Sequence, residues 1–212
     1  MGEPFSGLRV LFISAFDQSR HAHAALRRRA LERLGCEVST LDTLEPARWW
    51  RRLGGERIAT RVRRALSQAT PDVVLVIGGE HVSALTVHAL RDATSALWVN
   101  WIPDTLTPQS TVEHIASAYD HLFVPATDLA QRLANSVGAR VAFLPPGCDP
   151  SVHRPLRARD QFRANVVFAG TATPRREHLL TELVEFGLAV WGPGWRKTSL
   201  RDYCRGELVD VQ

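Results

Sequence analysis

Short apolar runs alternate with longer stretches of helical character along most of the chain, and this alternation constrains the fold more than any other feature. Leu8 to Ser14, Cys36 to Leu41, Asp72 to Ile77, Ala96 to Trp101, His121 to Val124 and Arg140 to Leu144 read as strands. The first of these is apolar at nearly every position, as in parallel strands covered by helices on both faces. Helices are predicted between them at about 19–34, 56–69, 82–92, 110–117 and 128–136, with Ser19 capping the first and Gly35 and Gly138 stopping the first and last. Strands and helices of these lengths in this order imply an α/β fold, a doubly wound, Rossmann-like parallel sheet with right-handed crossovers. Ligands bind such sheets beyond the carboxyl ends of the strands, which selects Ser14 to Asp17, Gly78 to His81, Trp101 to Asp104 and Pro125 to Thr127.

The pattern breaks at Phe143-Leu144-Pro145-Pro146-Gly147-Cys148-Asp149-Pro150 and resumes after His153-Arg154-Pro155. The prolines fix φ and remove backbone donors, while Gly147 permits an unusual turn, so residues 147–164 read as a hinge. This places one domain at residues 1–146 and the start of a second at 165–212. The second repeats the motif once: strand Val166 to Ala169, a turn from Gly170, a helix from Arg175 to Phe186, strand Leu188 to Trp191, then Gly192-Pro193-Gly194-Trp195 and one weak helix near Leu200 to Arg205. Two strands with one or two helices bury little apolar surface, so this domain is expected to be incomplete, with an open sheet edge that favours association.

Composition limits the classes of function. With 45% hydrophobic and 23% charged residues, the chain is that of a globular protein, and no window approaches the run of about 18 apolar residues that a membrane span needs. The first residues carry no basic leader of the signal-peptide kind. Three scattered cysteines, Cys36, Cys148 and Cys204, argue against a disulfide framework and fit a reducing cytoplasm. The net charge of +4 comes almost wholly from arginine, because Lys197 is the only lysine. Arginine suits bidentate phosphate contacts, and solvated helix faces give the same count. No nucleic-acid module is present, so charge alone speaks for DNA or RNA. Trp49-Trp50-Arg51-Arg52, with the arginines up to Arg64, reads either as a peripheral contact with an anionic membrane or as a basic helix behind a partly buried tryptophan pair.

Among the motifs, the turn from Gly170 to Arg176 has the strongest chemistry. A glycine after a strand admits a ligand to the backbone, the next helix offers unpaired N–H groups and a positive dipole, and Arg175 and Arg176 add charge. Such a turn suits a phosphate. Neither a G-x-G-x-x-G fingerprint nor a Walker lysine motif occurs. Gly192, Gly194 and Trp195 form a rigid turn beyond the next strand, where the indole either stacks on a base or sugar or fills the core. In the first domain Asp104, Glu80 and His81 lie at the presumed ligand edge, each a candidate general base or else a cap or solvated group. His21 and His23 are two residues apart, share no helix face and lack a third ligand, so no metal site is expected.

Leu144-Pro145-Pro146-Gly147-Cys148-Asp149-Pro150 with His153-Arg154-Pro155, then Val167-Phe168-Ala169-Gly170-Thr171, Pro174-Arg175-Arg176 and Val190-Trp191-Gly192-Pro193-Gly194-Trp195 in that order, resemble the CgeB-like, spore-maturation-type glycosyltransferases of the GT-B fold. Trp101-Ile102-Pro103-Asp104 also resembles that family's first-domain loop. The resemblance implies two Rossmann-like domains, a nucleotide-sugar donor held mainly by the second, an unknown acceptor on the first, and no bound metal or other cofactor. It further implies that Gly170, Thr171 and Arg175 approach the donor diphosphate, and that Asp104, or less favourably His81 or Glu80, activates the acceptor hydroxyl. The family pattern runs beyond Gln212, so the chain is expected to be truncated in the donor domain and not to transfer sugar alone. The competing reading is a two-lobed module that binds a nucleotide or sugar without catalysis.

Overall fold

A computed structural model describes residues 5–16, 23–44, 54–78, 82–103, 109–137, 140–157 and 159–207. The chain divides into two units, residues 1–153 and 154–212.

Among the described residues unit 1 contains six strands, β1 (Arg9–Ser14), β2 (Glu37–Asp42), β3 (Val73–Ile77), β4 (Leu97–Trp101), β5 (His121–Val124) and β6 (Arg140–Phe143). They pair in the order β2-β1-β3-β4-β5-β6, all parallel. The intervening helices are α1 (His23–Arg33), α2 (Gly54–Ala69), α3 (Ala84–Arg91), α4 (Gln109–Ala116) and α5 (Thr127–Val137). Each predicted strand and helix that falls on described residues is present, with ends shifted by one or two positions apart from the start of α1. Residues 17–22, which include the expected cap Ser19, lie outside the described residues, as do Trp49 and Arg51.

Strand order distributes the helices. The step from β1 to β2 moves one way across the sheet, and every later step moves the other way, so right-handed crossovers put α1 on one face and α2 to α5 on the opposite face. The side chains follow this division. Leu11 and Ile13 of β1, Val74 and Val76 of β3 and Trp98 of β4 are buried with Ile58 and Val62 of α2 and Val87 and Leu90 of α3. Leu122 and Val124 of β5 continue that layer with Val112 of α4 and Leu133 of α5. On the α1 side Val10 and Phe12 are buried, whereas Val73, Leu75 and Ile77 are only half-buried.

The proline-rich segment after β6 is held within unit 1 as a strap. The Trp101 indole N–H donates to the Leu144 carbonyl at 3.1 Å. Farther along, Asp149, only 7% exposed, accepts from Arg33 Nη1 at 3.3 Å and Nη2 at 2.9 Å. It also accepts from Ser151 N–H at 3.0 Å and Ser151 Oγ at 2.7 Å. His153 Nδ1 accepts the Asp149 N–H at 2.9 Å. The turn is therefore closed on itself and clamped to the last turn of α1. Residues 147–153, part of the segment that reads as a hinge in the sequence, fold with unit 1.

Among the described residues unit 2 is built on three parallel strands, β7 (Val166–Ala169), β8 (Leu188–Trp191) and β9 (Cys204–Gly206), in that order. Two details depart from the sequence reading. The helix expected from Arg175 to Phe186 ends early: α6 spans Pro174–Thr181, and a separate 3-10 turn at Val184–Phe186 closes on Gly187 at φ 77°. The weak helix expected near 200–205 is a single 3-10 turn, Arg201–Tyr203, that leads into β9. Pairing of Cys204 with Val190 and of Gly206 with Trp191 supplies backbone partners that an isolated short helix would lack. Leu180, Leu188, Val190, Trp195 and Leu200 form the core of this unit.

The Arg33 guanidinium, with help from Ser151, holds the Asp149 carboxyl well below the usual carboxylate range. A depressed folded pKa contributes stability that is complete above the unfolded value, near 4, and is lost as pH falls through the folded value. Asp149→Asn is expected to lower Tm by several degrees at pH 7, with the gap to wild type closing as pH is taken below about 4 in thermal unfolding monitored by circular dichroism. Equal Tm values at pH 7 contradict the clamp.

Candidate functional site

The carboxyl ends of β7 and β8 meet in a tight crossing. The Gly170 N–H donates to the Trp191 carbonyl at 2.8 Å, Ala172 N–H to the Pro193 carbonyl at 3.0 Å, and Gly192 N–H to the Gly206 carbonyl at 2.9 Å. Gly192 has φ 129°, and a Cβ placed on it would collide with the Gly170 carbonyl oxygen. No larger residue fits that position. Gly194, at φ 90°, turns the chain so that Trp195 re-enters the core.

Trp195 is 0% exposed. Its indole N–H donates to the Gly170 carbonyl at 2.7 Å, and its ring meets Phe168 edge-on at a centroid distance of 5.6 Å. Of the two sequence readings of Trp195, the structure shows the core residue: the ring has no face open for stacking on a base or sugar. The indole instead fixes the carbonyl of the first residue of the β7–α6 turn. Gly192 and Gly194 likewise act on the position of that turn through the backbone.

The start of α6 is more fully satisfied than its sequence suggests. Thr173 is the N-cap and its Oγ1 accepts the Arg176 N–H at 3.3 Å. Pro174 occupies the first turn and has no N–H to offer. Glu177, also in the first turn, accepts from Ser199 N–H and Oγ, both at 2.7 Å, and these bonds lower its pKa. Arg176 folds back, donating from Nη1 to the Thr171 carbonyl at 2.8 Å and lying over the Phe168 ring at 5.5 Å. Arg175 differs: it is exposed and makes no ion pair among the described residues. The two adjacent arginines thus have different roles, Arg176 bracing the turn and Arg175 leaving a cation at its rim. Thr171 and Thr173 of the same turn are exposed as well.

Asp104, Glu80 and His81 lie outside the described residues. Those flanking them are described: the Gly78 N–H donates to the Trp101 carbonyl at 2.8 Å, and Ile102 is buried, so the ends of β3 and β4 adjoin at the sheet edge. Among the described residues no group of three or more His, Cys, Asp or Glu side chains is placed to hold a metal ion. No helix among them is long and apolar enough to cross a membrane.

Two interactions escaped the sequence reading. The pair Arg33–Asp149 joins residues 116 positions apart. Arg27 of α1 lies over the Trp101 ring at 4.7 Å. Nothing local marks either partner, because the packing of α1 against β4 decides one pair and its packing against the strap decides the other.

No protein-family model and no curated protein sequence matches the chain. Solved structures do match. The apo form of the lipopolysaccharide outer core galactosyltransferase WaaB aligns over 93% of this chain and 68% of its own, with a TM-score of 0.54 at 12% identity. An open 2-hydroxyisobutyryl-CoA ligase bound to 2-HIB-AMP and CoA aligns over 65% of this chain and 25% of its own, at 14% identity and a TM-score of 0.28 that carries no argument. The fold is α/β and Rossmann-like, and the galactosyltransferase that shares it is a GT-B glycosyltransferase. At 12% identity the likeness is one of fold alone.

Trp195→Phe removes the indole N–H and leaves the Gly170 carbonyl short of a partner inside a tight crossing. It is expected to destabilise unit 2 by about 2 kcal/mol and to speed amide exchange at Gly170 and Ala172. Exchange at those two amides unchanged from wild type contradicts the bracing role.

Proposed function

We propose that this chain belongs to a CgeB-like glycosyltransferase of GT-B type that moves a sugar from a nucleotide-sugar donor to an acceptor hydroxyl. The observation that supports this reading most is the Gly170 to Thr173 turn, locked from behind by Gly192 and Trp195 while Arg175 stands free at its rim. A pre-positioned backbone beside an uncommitted guanidinium suits a diphosphate, because neither group must reorganise when charge arrives. Gly170, Thr171 and Arg175 approach the diphosphate in this proposal. Arg176 supports it indirectly through the Thr171 carbonyl.

In the transfer step the acceptor oxygen bonds to the anomeric carbon as the bond from that carbon to the diphosphate oxygen breaks. The diphosphate leaves with the electron pair, and Arg175 with the α6 dipole offsets the charge that develops on it. The hydroxyl proton passes to a general base, for which Asp104 is the first candidate and His81 and Glu80 are the others. Positive side chains and the helix start do the work for which other transferases use a metal, so no cofactor is assigned.

The test is a thermal-shift series with UDP, GDP and dTDP and their sugars. One base class is expected to raise Tm with concentration as mass action requires, and Arg175→Ala to weaken that response by about tenfold in apparent affinity. No shift with any nucleotide, or an Arg175→Ala response equal to wild type, contradicts the assignment.

A further inference from the structure

Unit 1 contains a pocket of about 510 Å³ between α1 and the strap, with Leu75 and Trp101 among its lining residues. Its volume is within the range of small-molecule sites, and its lining is mostly apolar. Two arginines of α1 reach it, and their environments differ. Arg33 is neutralised by Asp149. Arg27 is half-buried over the Trp101 ring at 4.7 Å, and no carboxylate pairs with it among the described residues. Burial lowers its pKa, yet a guanidinium stays charged at neutral pH.

A partly desolvated cation without a counter-ion is unfavourable, and side chains that long usually extend into water instead. Arg27 is held in place by the indole, which is itself tied by its N–H to the Leu144 carbonyl. The ring covers one face of the guanidinium and leaves its N–H edge as the unsatisfied part of the group. The apolar portion of the pocket comes from Leu26, Leu31 and Leu34 together with Leu75. A cation fixed at one point of an apolar cavity matches a small molecule with an anionic group on an apolar body.

We infer that the α1–strap pocket is a binding site for a small amphipathic anion, a phosphate or carboxylate on a ring-sized apolar frame, with Arg27 as the anion-binding residue and Trp101 as its support. The site lies wholly within unit 1 and does not rest on the donor reading. Cys148, exposed and lining the same pocket, reports occupancy, while Cys204 in unit 2 serves as an internal reference.

The probes are 1-naphthyl phosphate and its uncharged counterpart, 1-naphthol, titrated calorimetrically against the full chain. The phosphate is expected to bind at least about tenfold more tightly than the naphthol. Arg27→Met, which keeps an apolar stem of similar length, is expected to abolish the difference. In wild type, 1-naphthyl phosphate is expected to slow iodoacetamide modification of Cys148 and not of Cys204. Equal binding of the two probes marks an apolar groove for another occupant and overturns the inference. So does a preference for the phosphate that survives in Arg27→Met. Unaltered Cys148 modification at saturating 1-naphthyl phosphate overturns it without reliance on any variant.

Discussion

Parallel strand pairing is the constraint from which most of this structure follows. A parallel ladder cannot be closed by a hairpin, so each strand must be followed by a crossover that returns over one face of the sheet. Every carboxyl end then lies on the same edge, which gathers residues distant in sequence into one place without a dedicated loop. Because β1 sits inside the order β2-β1-β3, the first crossover runs opposite to the other four. Among the described residues α1 is left as the only helix of unit 1 on its face, and the strap after β6 runs beside it. Both the clamp at Asp149 and the pocket at Arg27 are consequences of that asymmetry.

Unit 2 meets the same constraint with fewer strands. Its strand-end edge depends on two residues without side chains, Gly170 and Gly192, which approach closely enough that a Cβ on Gly192 cannot be accommodated. Close approach brings backbone polar groups together, and each must find a partner. Trp191, Pro193 and Gly206 carbonyls take three of the N–H groups, and the Trp195 indole takes the Gly170 carbonyl. Fold and site are therefore one arrangement in this unit: the bonds that complete the core also fix the turn. Of the charged groups nearby, Arg176 and Glu177 are committed to that scaffold, and Arg175 remains available.

The fold was legible in the sequence wherever a single residue pattern carried enough free energy to decide the outcome. The apolar run Leu8 to Ser14 became a strand because the sheet buries it on both faces, whereas Val166 to Ala169 became one with Val167 still exposed. Gly35 and Gly187, with φ of 92° and 77°, end helical segments as a residue free of Cβ strain allows, although only Gly35 was read as a stop. β9 was not legible: it has three residues, one of them Arg205, and exists only because β8 offers an unpaired edge. The Asp149 turn was legible as a break in regular structure but not as a clamp, since its partner Arg33 lies 116 residues away. At the site, the Gly170 turn was legible from glycine, proline and charge. The division of labour between Arg175 and Arg176 was not, because it depends on which guanidinium can reach the Thr171 carbonyl and the Phe168 face.

We propose that the β7–α6 turn receives a nucleotide diphosphate. Amide hydrogen exchange of the whole chain with saturating UDP-, GDP- or dTDP-sugar addresses it directly, because the exchange is read residue by residue. One base class is predicted to slow exchange of the Thr171, Thr173 and Arg175 amides, with the amides of β2 and β6 in unit 1 unchanged. Exchange at 171, 173 and 175 that no nucleotide sugar alters, alongside a ligand-dependent change confined to unit 1, would contradict the account.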